Sequence, residues 1–217
     1  MAPDDSKPRD PYAINDEAEL RSHFGTKHPL AVQKVRDKID RHGKAFIERS
    51  PFLCMATVGG DGGCDATPRG DPPGFVKVLD DYTLAIPDRP GNNRLDSLTN
   101  LLANPTVGLL FMIPGYDDTY RVNGKVRLTR DPELLTLMEI NGRQPKVAIV
   151  VDVEETFLHC AKAFRRSKLW DPESHCDRKE LPSLARMIFE QIGEKKSEEE
   201  LQETDTALET EYKTQLY

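Results

Sequence analysis

Apolar positions recur at two periods along this chain, and the switch between them marks out its elements. Helical spacing comes first. Asp16 is placed to cap a helix, with Glu19 three residues on, Leu20 and Phe24 on one side, and Gly25 closing it. Leu30, Val35, Ile39, Phe46 and Ile47 predict a second helix from Leu30 to Ile47. Ser50-Pro51 stops it, because the residue before proline is pushed out of the helical region.

A run of strands follows. Phe52 to Val58 is the first, and Gly59 to Gly63 reads as a hairpin turn rather than a dinucleotide loop, since the GxGxxG spacing is absent and no helix follows. Cys64 to Arg69 returns, Gly70 to Gly74 is a rigid glycine-proline loop, and strands are expected from Phe75 to Leu79 and from Tyr82 to Ile86. Pro87 to Asn93 is a loop opening a helix near Asn92 or Asn93, whose buried stripe is Leu95, Leu98, Leu101 and Leu102 and whose end is Asn104-Pro105. Val107 to Ile113 is nearly all apolar, as in a central strand or a barrel stave.

Thr119 to Leu128 alternates as a strand, but Asn123-Gly124 interrupts it. Locally that pair reads as a tight hairpin, with a glycine bulge in one long strand as the competitor. A short helix from Asp131 to Ile140 has Pro132 in its first turn. Lys146 to Val153 is a buried strand that Thr156 to Ala163 extends. Helices are expected from Leu184 to Ile192 and through Leu201, Leu208, Tyr212 and Leu216. The pattern predicts a mainly β, α+β chain: a loose arm (1–15), N-terminal helices (16–49), a six- or seven-stranded antiparallel barrel-like sheet (50–171) and a helical extension (172–217), one domain in all.

Composition narrows the function classes. At 217 residues the chain buries enough surface to need no metal or disulfide staple. A net charge of −7 argues against a general nucleic-acid binder, which needs a basic face. No apolar run approaches a membrane span, and the charged first twenty residues lack an apolar signal core, so a cytoplasmic protein is expected. Cys54, Cys64, Cys160 and Cys176 form no CxxC or paired spacing, which leaves reduced thiols rather than a zinc site, with Cys160 expected to be packed.

Two segments carry candidate chemistry. Arg89-Pro90-Gly91-Asn92-Asn93-Arg94 leads into a helix and offers positive charge, free amides and little bulk, the requirements of a phosphate site. Thr67-Pro68-Arg69-Gly70 ends a strand in a similar way, and antiparallel pairing can bring Arg69 and Arg94 to one anion. Each segment alone also fits a capped helix or a turn with a solvated arginine. His159, at a strand end, and Lys162, Arg165 and Arg166 beside Trp170 are a second, weaker group.

The order ATVGGDGGCDATPRGDPPGFV, LAIPDRPGNNRLDSLTNLLANPTVGLLFMIPG and YRVNGKVRL resembles the pyridoxamine 5′-phosphate oxidase-like superfamily of FMN-binding split barrels. Within it, the chain is similar to a branch of uncharacterised FMN-dependent enzymes. The resemblance implies FMN as cofactor, a small-molecule substrate, and a homodimer with FMN at the subunit interface. It implies that Arg69 and Arg94 hold the phosphate with Thr67, Asn92 and Asn93 nearby, and that Pro68 and Gly70 shape the strand end. Ile86, Pro87 and Asp88 would pass the flavin ring, Thr119 and Arg121 would approach its polar edge, and Arg166 and Trp170 would cover it or hold an anionic substrate. It also favours the bulge at Asn123-Gly124. The RxxLLK-type signature of true pyridoxamine phosphate oxidases is absent, so the resemblance carries the flavin rather than the vitamin-B6 reaction. A non-catalytic flavin carrier or sensor, or a cleft for haem or a deazaflavin, are the alternatives.

Overall fold

The computed structural model describes residues 10–217, so most of the expected N-terminal arm lies outside the described residues. Three short helices open the chain: α1 (Glu17–Phe24), α2 (Pro29–Gln33) and α3 (Arg41–Arg49). Asp16 caps α1 as expected, accepting from Glu19 N at 2.8 Å, and Gly25 closes it at φ 69°. Its apolar side is not buried, however; Leu20 and Phe24 are 40% and 75% exposed.

The single helix expected from Leu30 to Ile47 is two helices with an extended link. Asp40 accepts from His42 N and Gly43 N at 3.0 and 2.8 Å, a cap that starts α3 afresh. The link is held to the sheet instead, as Arg36 and Thr156 exchange backbone hydrogen bonds at 2.9 and 2.7 Å. Ile39 is thereby buried while Leu30 and Val35 stay exposed, so the helically spaced residues do not form one buried stripe.

Seven strands form one antiparallel sheet: β1 (Phe52–Val58), β2 (Cys64–Gly70), β3 (Lys77–Asp80), β4 (Thr83–Pro87), β5 (Thr106–Ile113), β6 (Tyr116–Thr129) and β7 (Ala148–His159). Their order is β2-β1-β5-β6-β7-β4-β3. The sheet wraps around one apolar core in which Leu53, Met55, Leu84, Ile86, Leu109, Phe111, Val122, Ile149 and Val151 meet Phe46 and Ile47 of α3. Leu98 and Leu101 of α4 (Asp96–Ala103) join the same core. A smaller cluster, Ala85, Met138, Ala148 and Val150, lies on the other side of β4 and β7, where Leu134 and Leu135 of α5 (Pro132–Leu137) cover it. This is the mainly β, α+β split barrel expected.

At Asn123-Gly124 the chain runs straight on, and the local hairpin expectation fails. Asn123 faces Glu155 while Gly124 faces Val153, so the extra residue sits on β7 and makes a bulge. The glycine is required by proximity, not by turn geometry, since a Cβ there would lie 2.2 Å from Asp152 O. The bulge also turns Val153, Val151 and Ile149 inward after Glu155 and Phe157 have faced outward. β7 stops at His159, and the chain then turns into α6 (Lys162–Ser167) rather than extending the sheet to Ala163. Cys160 is exposed, not packed.

The tail forms α7 (Leu184–Gln191) and α8 (Glu198–Thr214). Leu201 is the buried anchor of α8, whereas Tyr212 is 52% exposed. No helix among the described residues is long and apolar enough to cross a membrane.

Candidate functional site

β2 is an edge strand, and its alternation decides what each residue faces. Arg69 lies opposite Leu53, and Thr67 opposite Met55, so both share the core-side face. Pro68 lies opposite Cys54 and faces outward, and Gly70 ends the strand opposite Phe52. Asp65, on the core side with Thr67, accepts from Asn100 of α4 at 2.6 Å, which sets α4 over this edge.

Two ion pairs of reversed sense tie the exit of β2 to the exit of β4, strands near opposite ends of the sheet order. Arg69 Nη1 donates to Asp88 Oδ1 at 2.6 Å, with both side chains 18% exposed. Arg89 Nε donates to Asp71 Oδ2 at 2.6 Å, and Asp71 is 1% exposed. Arg89 Nη2 also donates to Met138 O at 2.9 Å, and Tyr217 OH donates to the second Asp71 oxygen at 2.6 Å. Arg143 donates to Tyr217 O, so residue 217 is clasped from two sides. Asp71, Arg89's structural commitment and Tyr217 escaped the sequence reading; the complementary order Arg-x-Asp at 69–71 against Asp-Arg at 88–89 was the available signal.

One polar atom in this clasp has no partner. Arg69 Nε is buried and forms no hydrogen bond, an orphan donor of the kind that a bound acceptor relieves.

The loop from Asp88 to α4 is strained in a way the sequence did not disclose. The helix begins at Asp96, not at Asn92 or Asn93. Asn93 and Leu95 adopt φ 57° and 61°, left-handed conformations unusual for a leucine. Asn92 accepts from Arg94 N at 3.1 Å, making a turn instead of a cap. The α4 N-terminus therefore has no side-chain cap, and its first amides keep the free donors and positive dipole that favour an anion. Arg94 is 73% exposed and donates to Asp96 at 2.8 Å. Asp96 foremost, with a smaller share from Asp65, raises the guanidinium's pKa. Asp65 thus links Arg94 and α4 to the β2 face that carries Thr67 and Arg69. Arg69 and Arg94 each hold a separate carboxylate, Asp88 and Asp96.

Ile86 is fully buried in the barrel core and Pro87 is buried at the end of β4. Their side chains offer nothing to a ligand; only backbone beyond them can. Asp88, expected beside a ring, instead neutralises Arg69.

The remaining expected residues fall elsewhere. Register carries Arg69 to Leu53, Phe111 and Tyr120, so Arg121 and Thr119 face the opposite side of the sheet from Arg69. Arg121 Nε donates to Asn123 at 3.1 Å, and Asn123 donates to Glu155 at 2.8 Å. Thr119 is buried opposite His159. Arg166 is exposed on α6. Trp170 is pinned by its own chain: Nε1 donates to Tyr116 O at 3.0 Å and its ring stacks on Phe164 with centroids 5.7 Å apart. Within one chain, Arg166 and Trp170 do not join the Arg69–Arg94 edge.

One antiparallel seven-stranded sheet wrapped around an apolar core, with its loops tied by two ion pairs, defines a split barrel as a class. Residues 39–160, more than half of the chain, match the family model described as pyridoxamine 5′-phosphate oxidase. The chain belongs to this family of split barrels. No curated protein matches it. Among solved structures it is similar to HupZ of Group A Streptococcus, at 18% identity over 55% of this chain and 93% of that one, with a TM-score of 0.46. It is also similar to an FMN-binding protein of Syntrophomonas wolfei (10% identity, 66% and 96% of the two chains, TM-score 0.44). HutZ, the heme storage protein of Vibrio cholerae, is a third (14% identity, 56% and 94%, TM-score 0.41).

Proposed function

We propose that this chain is a cytoplasmic, homodimeric FMN-binding protein that acts as an FMN-dependent oxidoreductase on a small molecule. The observation that carries the reading is the orphan Arg69 Nε on the core-side face of β2, a strand tied through Asp65 to Arg94 and to α4, whose first amides are uncapped. Arg69 Nε, Arg94 and those amides are donors, and a phosphate monoester is an acceptor of matching charge. Thr67 adds a hydroxyl on the same face, and Asn92 and Asn93 shape the loop.

FMN supplies hydride and electron transfer when bound, so the protein's share is to hold and orient it. Arg69 and Arg94 bind the phosphate end. Asp88 keeps the Arg69 guanidinium fixed for that contact, and the Asp71–Arg89 pair holds the loop on which Asp88 sits. The backbone of Ile86, Pro87 and Asp88 would line the flavin ring, since the Ile86 and Pro87 side chains are buried. Arg121 and Thr119 face away from that edge. A second copy that presents its outer face, with Arg121, Thr119, Arg166 and Trp170, is the economical way for one cofactor to meet both sets. That is the support for the homodimer.

Flavin fluorescence titration tests the reading. Arg94→Ala is expected to weaken FMN binding by about 1.5–3 kcal/mol, or roughly 10- to 150-fold, the scale of a hydrogen bond to a charged group. Because Arg94 is so exposed, the variant keeps its fold. Unchanged affinity would reject the assignment of the phosphate to this edge.

A further inference from the structure

Two cationic side chains and a histidine meet around one phenyl ring on the outer face of β6 and β7. Lys34 Nζ and the Arg121 guanidinium carbon each lie 5.2 Å from the Phe157 ring centroid. The His159 imidazole lies 4.7 Å from the same ring. They come from separate segments. Lys34 closes α2 and donates to Leu158 O, Arg121 lies opposite Phe157 in the ladder, and His159 ends β7.

None of the three has a carboxylate partner among the described residues, where the ion pairs engage other side chains. Glu155, two residues along β7 on the same face, is taken up by Asn123, which in turn accepts from Arg121. Its charge reaches the cluster only through an amide. The arrangement is electrostatically unbalanced: burial first, then Arg121 and Lys34, hold the His159 pKa below its ordinary 6.5. The Phe157 ring compensates in part through its negative face.

We propose that this cluster is a binding site for a small organic anion, a carboxylate or a phosphate ester, recognised by Lys34, Arg121 and His159 around Phe157. It lies on the opposite face of the sheet from Arg69, so within one chain the two sets of donors cannot hold the same anion. Assigning that anion to the substrate rests on the flavin reading above; the site itself does not. An anion here supplies the missing countercharge, and it draws a proton onto His159, which then adds a third cationic contact.

The test follows the His159 ring proton by NMR in the full-length protein without added flavin. Titrations are run in sodium chloride, in sodium sulfate and in sodium benzoate at matched ionic strength. An anion seated within hydrogen-bonding reach is expected to raise the His159 midpoint by about one pH unit. The other four histidines are the internal controls and are expected to stay where they are. Lys34→Gln is expected to remove most of the rise and to leave FMN affinity unchanged. A His159 midpoint that is the same in all three salts overturns the site. So does a shift shared by every histidine, or one that survives in Lys34→Gln. Repeating the sulfate titration with FMN present separates the sources: a persisting shift supports a second anion, and an erased one returns the cluster to the cofactor's own phosphate. Failure of FMN to bind at all would defeat the flavin reading while leaving the sulfate result intact.

Discussion

Replacing Asp71 by alanine should do more damage than removing any exposed carboxylate, and the size of the effect follows from its surroundings. Asp71 is 1% exposed and accepts both from Arg89 Nε and from Tyr217 OH at 2.6 Å. Its loss leaves Arg89, only 15% exposed, without a countercharge. Breaking one side of a buried pair costs about 3–5 kcal/mol, because the other charge stays desolvated. Arg89 keeps its bond to Met138 O, which places the expectation at the lower end, about 3 kcal/mol. For a chain of this size that lowers the melting temperature by about 6–12 °C. Urea denaturation monitored by Trp170 fluorescence measures it. Asp152→Ala, which removes the pairing partner of Arg127 where both are more than half exposed, is the control and should cost about 0–1 kcal/mol. Tyr217→Phe removes one hydrogen bond from the same carboxylate, and its effect should vanish in the Asp71→Ala background. A loss below about 1 kcal/mol for Asp71→Ala would mean that the clasp contributes nothing beyond a surface pair, and with it the claim that these loops are pre-set would fail.

Other outcomes follow from single features. Gly124→Ala forces a Cβ to 2.2 Å from a backbone oxygen that cannot swing away, so a loss of at least about 3 kcal/mol is expected by chemical denaturation. Gly91→Ala, with no atom within 4 Å of the added methyl, should be neutral or slightly stabilising; equal effects of the two would refute the close-approach argument. Because the folded-state pKa of His159 is depressed, the unfolded chain binds more protons just below pH 6.5. Stability should therefore rise with pH from the depressed folded value up to about 6.5, and His159→Gln should flatten that slope. An unchanged slope in the variant would place the acid sensitivity elsewhere.

Much of the barrel was legible because strand residues alternate and loop residues punctuate. Phe52 to Val58, Gly59 to Gly63 and Cys64 to Arg69 fell where the pattern put them, with β2 running one residue further to Gly70, since the buried face of β1 and the glycine turn fix the pairing. The failures have a common cause in tertiary contacts. Val35 and Ile39 kept helical spacing, yet the link between α2 and α3 pairs with Thr156, a partner over a hundred residues away. Asn123-Gly124 looked like a turn because those residues favour turns, but the glycine answers to Asp152 across the ladder. The α4 start was misplaced because asparagine is a good cap in general. Here Leu95 takes the left-handed position instead, a choice local propensity disfavours and therefore cannot announce.

The candidate site was legible as a composition and illegible as a geometry. Arg69, Arg94, Thr67 and the asparagine loop could be picked out by residue type, whereas the face each would occupy depended on register. A shift of one residue in any ladder from β2 to β6 would have put Arg121 on the Arg69 side. The observed register does the opposite, and that has a chemical consequence. A ligand bound at the β2 edge meets donors from one face only, while the unbalanced cations around Phe157 face away from it. Any catalyst built from both sets must therefore bring together two faces of the sheet, and a single barrel whose inside is already filled by Phe111, Leu109 and Met55 cannot do so. A second copy of the chain resolves the conflict without altering either face. If one cofactor meets both faces in this way, Arg121→Ala is expected to weaken FMN binding in fluorescence titration although Arg121 lies on the face opposite Arg69; an Arg121→Ala variant with unchanged FMN affinity would argue that the β2 edge alone holds the ligand.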